Sequence, residues 1–453
     1  MAEVNSPRIT GRGDLIQWLQ NGETPRENWR IGTEHEKFLF DVTTNRRPGY
    51  DGASGVGALL TALNDRLGGT AIMEGDAIIG VKEVNGGSLT LEPGGQFELS
   101  GAPLATLHET CRETNSHLKI MREVTATLGL GMLGVGYDPK WPRDDVPWMP
   151  KGRYKIMRAH MPKVGTLGLD MMQRTSTIQV NLDYSDERDM ARKFRTSLAL
   201  QPVATALFAN SPFKEGKPSG LLSTRAQAWT DTDNARCGVP ACVFDDGFGY
   251  EQWVDYILDV PMYFLHRGDD YADVAGLSFR DYMAGQLPGY EGELPVMADW
   301  EDHITTAFPE VRLKQYLEMR GADGGPWNMI CALPALWVGL LYDAESLDAA
   351  EELARGLTAE DVAEARMSAA THGLNGQIGG RNMLELGRQM VAISGDGLKR
   401  RNNIAGIGDS EVSFLDPLKE IVQSGITKAE RLLDHYHNDW SQEVDPIYRD
   451  FQF

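Results

Sequence analysis

Three short stretches of this chain each put several polar side chains on one face of an extended backbone. Residues 31–40 read IGTEHEKFLF, residues 176–183 read STIQVNLD and residues 311–320 read VRLKQYLEMR. Alternate residues of a strand share a face. Glu34 and Glu36 therefore point one way, as do Thr177, Gln179, Asn181 and Asp183. The third stretch, read as one strand, aligns Arg312, Lys314, Tyr316, Glu318 and Arg320. The interleaved positions of the last two stretches are largely apolar: Ile178, Val180 and Leu182; Leu313, Leu317 and Met319. This is a sheet with one face on a core and the other carrying carboxylates, amides and arginines. Such a face can bind divalent cations through oxygen, and those cations can hold a phosphorylated ligand. The alternative is an ordinary amphipathic sheet with a solvated outer face.

With 453 residues, 42% of them hydrophobic, the chain can bury a large core. Length alone would allow two or three domains, but no internal repeat, low-complexity run or long Pro/Gly/Ser linker marks a boundary. A formal charge of −21 argues against nucleic-acid binding, which needs clustered Lys and Arg. It suggests a soluble, cytoplasmic protein. The opening residues MAEVNSPRITGRGD hold no apolar run and carry an acid early. They do not read as a signal peptide, and nothing resembles an uninterrupted membrane span. The four cysteines are too few for a disulfide scaffold, and none has zinc-site spacing with a histidine. Cys237 and Cys242, in CGVPAC, read as two free thiols in a loop, with a redox pair as the alternative.

Helical periodicity is clear at residues 14–20 and 104–128. It recurs from Ser185, an expected N-cap, through Met190, Phe194 and Leu198 to an expected kink near Pro202. The C-terminal third reads as helices at 347–356, 359–372, 383–401, 414–424 and 428–437. Strands scattered among helices without a regular β-α-β beat favour an α+β fold with an antiparallel sheet.

Glu34 and Glu36, at i and i+2 on a strand, sit about 7 Å apart. That spacing suits one Mg²⁺ or two neighbouring ones. Without a cation, burying such like charges is costly. His35 between them faces the other way and reads as a core histidine. Residues 91–103, LEPGGQFELSGAP, add Glu92 before a Pro-Gly-Gly turn and Glu98 after it, or form a plain hairpin with a polar edge. Glu318 and Arg320 combine a metal-type carboxylate with a guanidinium fork for carboxylate or phosphate, or form a structural pair. Residues 149–158, MPKGRYKIMR, and 213–220, FKEGKPSG, are basic loops in an acidic chain. Arg153, Lys214 and Lys217 are candidates there for nucleotide phosphates, a solvated loop being the alternative. No Walker-type P-loop occurs. Residues 225–236, RAQAWTDTDNAR, suit a small zwitterion pocket or a polar surface loop.

Taken together, these stretches resemble the glutamate–cysteine ligases of plants and proteobacteria. The resemblance rests on TEHEKF, LEPGGQFELSGAP, MPKGRYxIM, LDMMxRTxTxQVNLD, WTDTD, LDVPMYF and EMRGADGGPW, in order from about Trp29 onward. It implies that residues 1–453 form a single catalytic domain, a cradle like that of glutamine synthetase with a curved antiparallel sheet backed by helices. It implies that ATP phosphorylates the γ-carboxylate of L-glutamate and that the amine of L-cysteine attacks the acyl phosphate, the first step of glutathione biosynthesis. Glu34, Glu36, Glu92, Glu98 and Glu318 would hold Mg²⁺, or Mn²⁺. Arg320 would contact the transferring phosphate, with Gln179 and Asn181 on the facing strand. Arg225, Trp229, Met172 and Thr177 fall to the glutamate pocket, Tyr256 and Trp327 to the cysteine pocket. Cys111 and Cys331 match a family cysteine pair, with two buried, inert thiols as the alternative. A second pair that plant members can carry has no counterpart, since residues 274–289 lack cysteine. With no transit peptide recognised, the chain reads as a bacterial member. A homodimer is left open.

This chemistry suits the residues. Phosphorylation turns a carboxylate oxygen into a leaving group, and the transfer needs charge neutralisation more than a side-chain nucleophile. Two other readings stay open: a γ-glutamyl ligase for a different amine, and a metal-dependent amidohydrolase. Hydrolytic metal sites usually include histidine, and none of the three faces presents one.

Overall fold

The polar-faced stretches come together in a single antiparallel sheet. The computed structural model describes residues 6–268, 270–406 and 408–453, so the reading of the first five residues falls outside it. Nine strands form the sheet: β1 Ile31–Asp41, β2 Thr70–Glu74, β3 Ala77–Lys82, β4 Ser88–Leu91, β5 Gln96–Ser100, β6 Leu130–Leu133, β7 Thr177–Leu182, β8 Val311–Leu313 and β9 Leu317–Asp323. Their order is β8-β9-β7-β1-β5-β4-β3-β2, and β6 pairs with the end of β1. This is the α+β architecture expected from the sequence.

One expectation changes. Residues 311–320 are not one strand but a hairpin, with Arg312 directly opposite Glu318. The polar alternation runs on through the turn at Lys314–Tyr316, so periodicity alone could not reveal the reversal. Cross-strand partners share a face, and Arg312 and Glu318 still stand on the polar side.

The apolar side is covered by helices. The ones that matter here are α1 Leu107–Thr127, α2 Gly152–Val164, α3 Glu187–Leu207, α4 Thr224–Ala228, α5 Trp327–Leu341 and α6 Met383–Arg401. Ile178, Val180, Leu182, Leu317 and Met319 enter one large core with α3, α5 and α6. From Met329 to Leu341, α5 is buried throughout, as its unbroken apolar run requires. Thr106, not Pro103, sets the start of α1, through a capping box with Glu109. The cap of α3 is Asp186 rather than Ser185: Asp186 accepts from the Asp189 amide, while Ser185 donates to the Asp189 carboxylate. The helix continues through Pro202.

Two expected loops are ordered elements instead. Residues 152–158 open α2, which buries Tyr154, Ile156, Met157, His160 and Met161. Its Gly and Pro neighbours at the start disguise it as a loop. Residues 213–220 form a small hairpin closed by a turn at Glu215 and Gly216. The run 225–236 is not a surface loop, since Arg225, Thr232, Asp233 and Arg236 are all buried. The C-terminal helices sit at Ala344–Ala354, Ala359–His372, Met383–Arg401, Asp416–Ser424 and Lys428–Asn438, close to their expected places.

Candidate active site

The polar face lines a cavity of about 400 Å³. Its acidic half comes from adjacent strands. Glu34 and Glu36 project from β1, Glu98 from β5 and Glu92 from the end of β4. Glu36 lies opposite Glu98, and Glu34 opposite Ser100 on one side and Gln179 on the other. Single hydrogen bonds orient three of them: Thr177 N to Glu36 (3.2 Å), Asn181 Nδ2 to Glu34 (2.7 Å) and Thr90 Oγ1 to Glu98 (2.7 Å).

The turn between β4 and β5 fixes Glu92. Gly95 adopts a φ of 76°, and its amide donates to the Glu92 carbonyl at 2.8 Å. Gly94 presses on the Gln173 backbone so closely that a Cβ there would sit 2.4 Å from its carbonyl oxygen. Gln96 staples the turn from inside, accepting from the Gly94 amide and donating to the carbonyls of Met172 and Thr175.

These acids are short of positive charge. Among the described residues, Glu34, Glu36, Glu92 and Glu98 have no ion-pair partner within 4 Å. Burial, then Glu318 and Glu98, push the Glu34 carboxyl up to about 7. Burial, then Glu98 and Glu92, hold Glu36 well above the usual range. Burial and Glu92 raise Glu98.

The basic half of the cavity is built on the β8–β9 hairpin. Arg312 grips Glu318 with a two-pronged contact, Nε to Oε2 at 2.7 Å and Nη2 to Oε1 at 3.1 Å. Lys314 Nζ lies 3.4 Å from the same carboxylate, and Arg320 Nη1 2.9 Å. Burial alone would raise Glu318, but the three cations hold it well below its ordinary value. One carboxylate thus gathers three bases, a net positive cluster facing the four acids. Arg320 also donates to Gln179 Oε1 at 2.7 Å.

Arg225, on α4, donates to the Arg320 carbonyl at 2.7 Å. Behind it, the buried Asp323 accepts from the Asn210 amide, Ser211 Oγ and Ser223 Oγ, and the Ser211 hydroxyl accepts from the Arg225 amide. Trp229, Met172, Thr177 and Arg153 complete the wall.

Other expected site residues lie elsewhere. Asn181 supports Glu34 without lining the cavity. Lys214 and Lys217 pair with each other's backbone in their own hairpin and do not line it. Tyr256 stacks on Trp253, 5.0 Å between ring centres. Trp327 heads α5 with 41% of its surface exposed. Sequence reasoning gave no role to Arg312, Lys314 or Asp323. Alternation with Glu318 flagged the first two; nothing local flagged the third.

Among the described residues, no group of three or more His, Cys, Asp or Glu is arranged as a ready metal cage. The four acids nevertheless form an oxygen-only donor set facing one cavity with too little countercharge. That fits a hard cation such as Mg²⁺, which takes one or two carboxylates and leaves its other positions to water and ligand phosphates. Glu318 differs, because its oxygens are already engaged by cations.

Cys111 on α1 and Cys331 on α5 are joined by a disulfide, their Cα atoms 5.5 Å apart. Cys237 and Cys242 are free. The bridge ties α1 to the helix that follows β9.

The model of the glutamate-cysteine ligase family 2 matches residues 30–450. Glutamate–cysteine ligase B, chloroplastic, of Oryza sativa subsp. japonica is 54% identical over 440 residues, 97% of this chain and 87% of that protein. Its Arabidopsis thaliana counterpart, also named chloroplastic, is 53% identical over 442 residues, 98% of this chain and 83% of that protein. In fold, the chain resembles the crystal structure of a Francisella tularensis glutamate–cysteine ligase, with a TM-score of 0.56 at 13% identity, over 95% of this chain and 90% of that one. The chloroplastic relatives overturn the expectation of a cytoplasmic protein. Net charge bears on solubility, not on compartment. By its matched length and its identity to these enzymes, the chain belongs to glutamate-cysteine ligase family 2.

Proposed function

We propose that this protein joins the γ-carboxylate of L-glutamate to the amine of L-cysteine at the expense of ATP, the first step of glutathione biosynthesis. The observation that carries the reading is the opposition, across one cavity, of four carboxylates without an ion pair among the described residues and the basic cluster held by Glu318. A glutamate γ-oxygen attacks the terminal phosphorus of ATP, and ADP leaves. The cysteine nitrogen then attacks the acyl carbon, phosphate departs with the bonding pair, and the amine gives up a proton.

Arg320 lies against the transferring phosphoryl group and meets its oxygens with a planar fork. Glu318 and Gln179 aim that fork. Arg225, with Trp229, Met172 and Thr177 around it, receives glutamate. Arg153, on the first turn of α2, is the nucleotide's cationic contact on the acidic side. Glu34, Glu36, Glu92 and Glu98 would hold Mg²⁺ or Mn²⁺, which when bound lowers the negative charge on the phosphoryl oxygens. No side-chain nucleophile is required.

The test is ADP release with glutamate across a panel of amines. Release that needs glutamate and is fastest with cysteine is expected. Faster release with a different amine would make this a γ-glutamyl ligase for that acceptor. Nucleotide turnover indifferent to glutamate would end the ligase reading.

A further inference from the structure

The three cations around Glu318 are not equally committed. Arg312 spends its guanidinium on fixed partners: two contacts go to Glu318, and Nη1 donates to the carbonyls of Thr305 (2.6 Å) and Ala307 (2.9 Å). Arg320 divides its Nη1 between Gln179 and Glu318. Lys314, in the turn between β8 and β9, has the loosest tie. Its Nζ lies 3.4 Å from Glu318 Oε1, longer than an ordinary N–H···O bond of about 2.9 Å. Tyr316 also lies beside it, the ammonium 4.7 Å from the ring centre. The Lys314 side chain lines the active-site cavity and is 15% exposed, against 7% for Arg312.

Charge decides what this arrangement is for. The two-pronged contact with Arg312 already neutralises Glu318. Lys314 and Arg320 then leave two positive charges in surplus, one at each oxygen of the same carboxylate. Like charges so close repel, and a site shielded from water screens them weakly. The acids opposite do not relieve this, since among the described residues none of the four pairs with either cation. An anion with two negative charges, set between Lys314 and Arg320, would.

We propose that Lys314 is a second catalytic cation of the ligation: its ammonium touches the transferring phosphoryl group beside Arg320, while Arg312 holds Glu318 in place. This deepens the function proposed above and rests on it, because the phosphoryl group passing from ATP to glutamate is the anion that meets both cations. In the first step Lys314 neutralises charge on the phosphoryl oxygens, and in the second it steadies the phosphate that departs with the bonding pair. No bond to lysine forms. A lysine suits the place, since its ammonium is a compact charge with three donors on a flexible arm. It can turn from Glu318 to the phosphoryl group without undoing the Arg312 contact.

The test compares the full-length wild type with Lys314→Gln and Lys314→Ala, reading γ-glutamylcysteine by chromatography. Methylammonium is added to the Ala variant as the missing cation, and its own γ-glutamyl adduct is counted apart. Lys314→Gln should lower kcat about 100-fold and change KM for glutamate and for ATP less than about threefold. In Lys314→Ala, methylammonium should restore γ-glutamylcysteine formation about tenfold or more, with no gain in the wild type. Sodium chloride at the same ionic strength should restore none. A kcat close to wild type, a loss confined to KM, no rescue, or equal restoration by sodium chloride would each overturn the proposal. So would failure of both variants to fold, which would make Lys314 part of the frame of the hairpin. Where one of them folds, that variant's arm decides. A wild type that makes no γ-glutamylcysteine would strike the ligase reading itself, whatever the variants do.

Discussion

Glu36 and Glu98 stand directly opposite each other across β1 and β5, and neither forms an ion pair among the described residues. Like charges at a facing cross-strand position destabilise a sheet. Burial sharpens the cost, because the interior screens them poorly. Such a pair is retained against folding stability, which is the signature of a functional site.

That trade gives the first prediction. Glu36→Gln removes one charge while an amide oxygen can still accept from Thr177 N. Turnover should fall at least about 100-fold, the scale of one strong electrostatic contribution. The melting temperature of the metal-free protein should stay level or rise. Near-normal turnover would remove Glu36 from the machinery, and calorimetry beside the kinetics reads both effects.

The pH dependence of stability has a defined sign. Glu34 is raised from an ordinary 4.5 to about 7 in the folded protein. The native state therefore holds its proton more tightly than the unfolded chain. Its stabilising contribution is complete below about 4.5 and is lost as pH rises through about 7. The metal-free wild type should melt progressively lower across that window, and Glu34→Gln should lose part of the slope. Added Mg²⁺ should raise the melting temperature more at pH 8 than at pH 5. Identical slopes in the two proteins would contradict this.

The bridge between Cys111 and Cys331 joins residues 220 apart in sequence. Closing so long a loop restricts the unfolded chain, and removing a native bridge typically costs about 2–5 kcal/mol. Reductant, or Cys111→Ser, should lower the melting temperature. Thiol titration of denatured, unreduced protein should find only Cys237 and Cys242. Reactive thiols at all four positions would exclude the bridge.

Much of this site was readable because it is local. Glu34 and Glu36 sit two apart on one strand, and Glu92 and Glu98 bracket one turn, so period-2 alternation and a Pro-Gly-Gly signal reveal them. The helices of the C-terminal third announced themselves by periodicity for the same reason. What stayed hidden depends on distance or direction. The β8–β9 reversal leaves alternation intact, so Arg312 looked like a neighbour of Glu318 rather than its clamp. Lys214 and Lys217 carry the right charge, but a hairpin keeps them off the cavity wall. Asp323 meets Asn210, Ser211 and Ser223 only after the chain has folded back a hundred residues or more.

Arg320 separates charge from shape. Lysine keeps the charge but loses the planar guanidinium, whose Nη1 donates to both Gln179 and Glu318. Arg320→Lys should lower kcat, by about 100-fold, more than it raises KM for glutamate. An effect on KM alone would move Arg320 to the substrate carboxylate in the ground state.

Asp323 offers the sharpest test of how Arg225 is held. Burial depresses the Arg225 guanidinium, and Asp323 is the largest influence opposing that. Asp323 is itself fixed by two serine hydroxyls and the Asn210 amide. Asp323→Asn preserves size and much of this hydrogen bonding but removes the charge. If Arg225 receives glutamate, KM for glutamate should rise about tenfold, with a smaller loss in kcat and little change in KM for ATP. A lowered melting temperature with unchanged KM values would make Asp323 a purely structural hub. Asp323→Glu, which restores the charge on a longer arm, should recover part of the lost affinity only if charge at this position is what steadies Arg225.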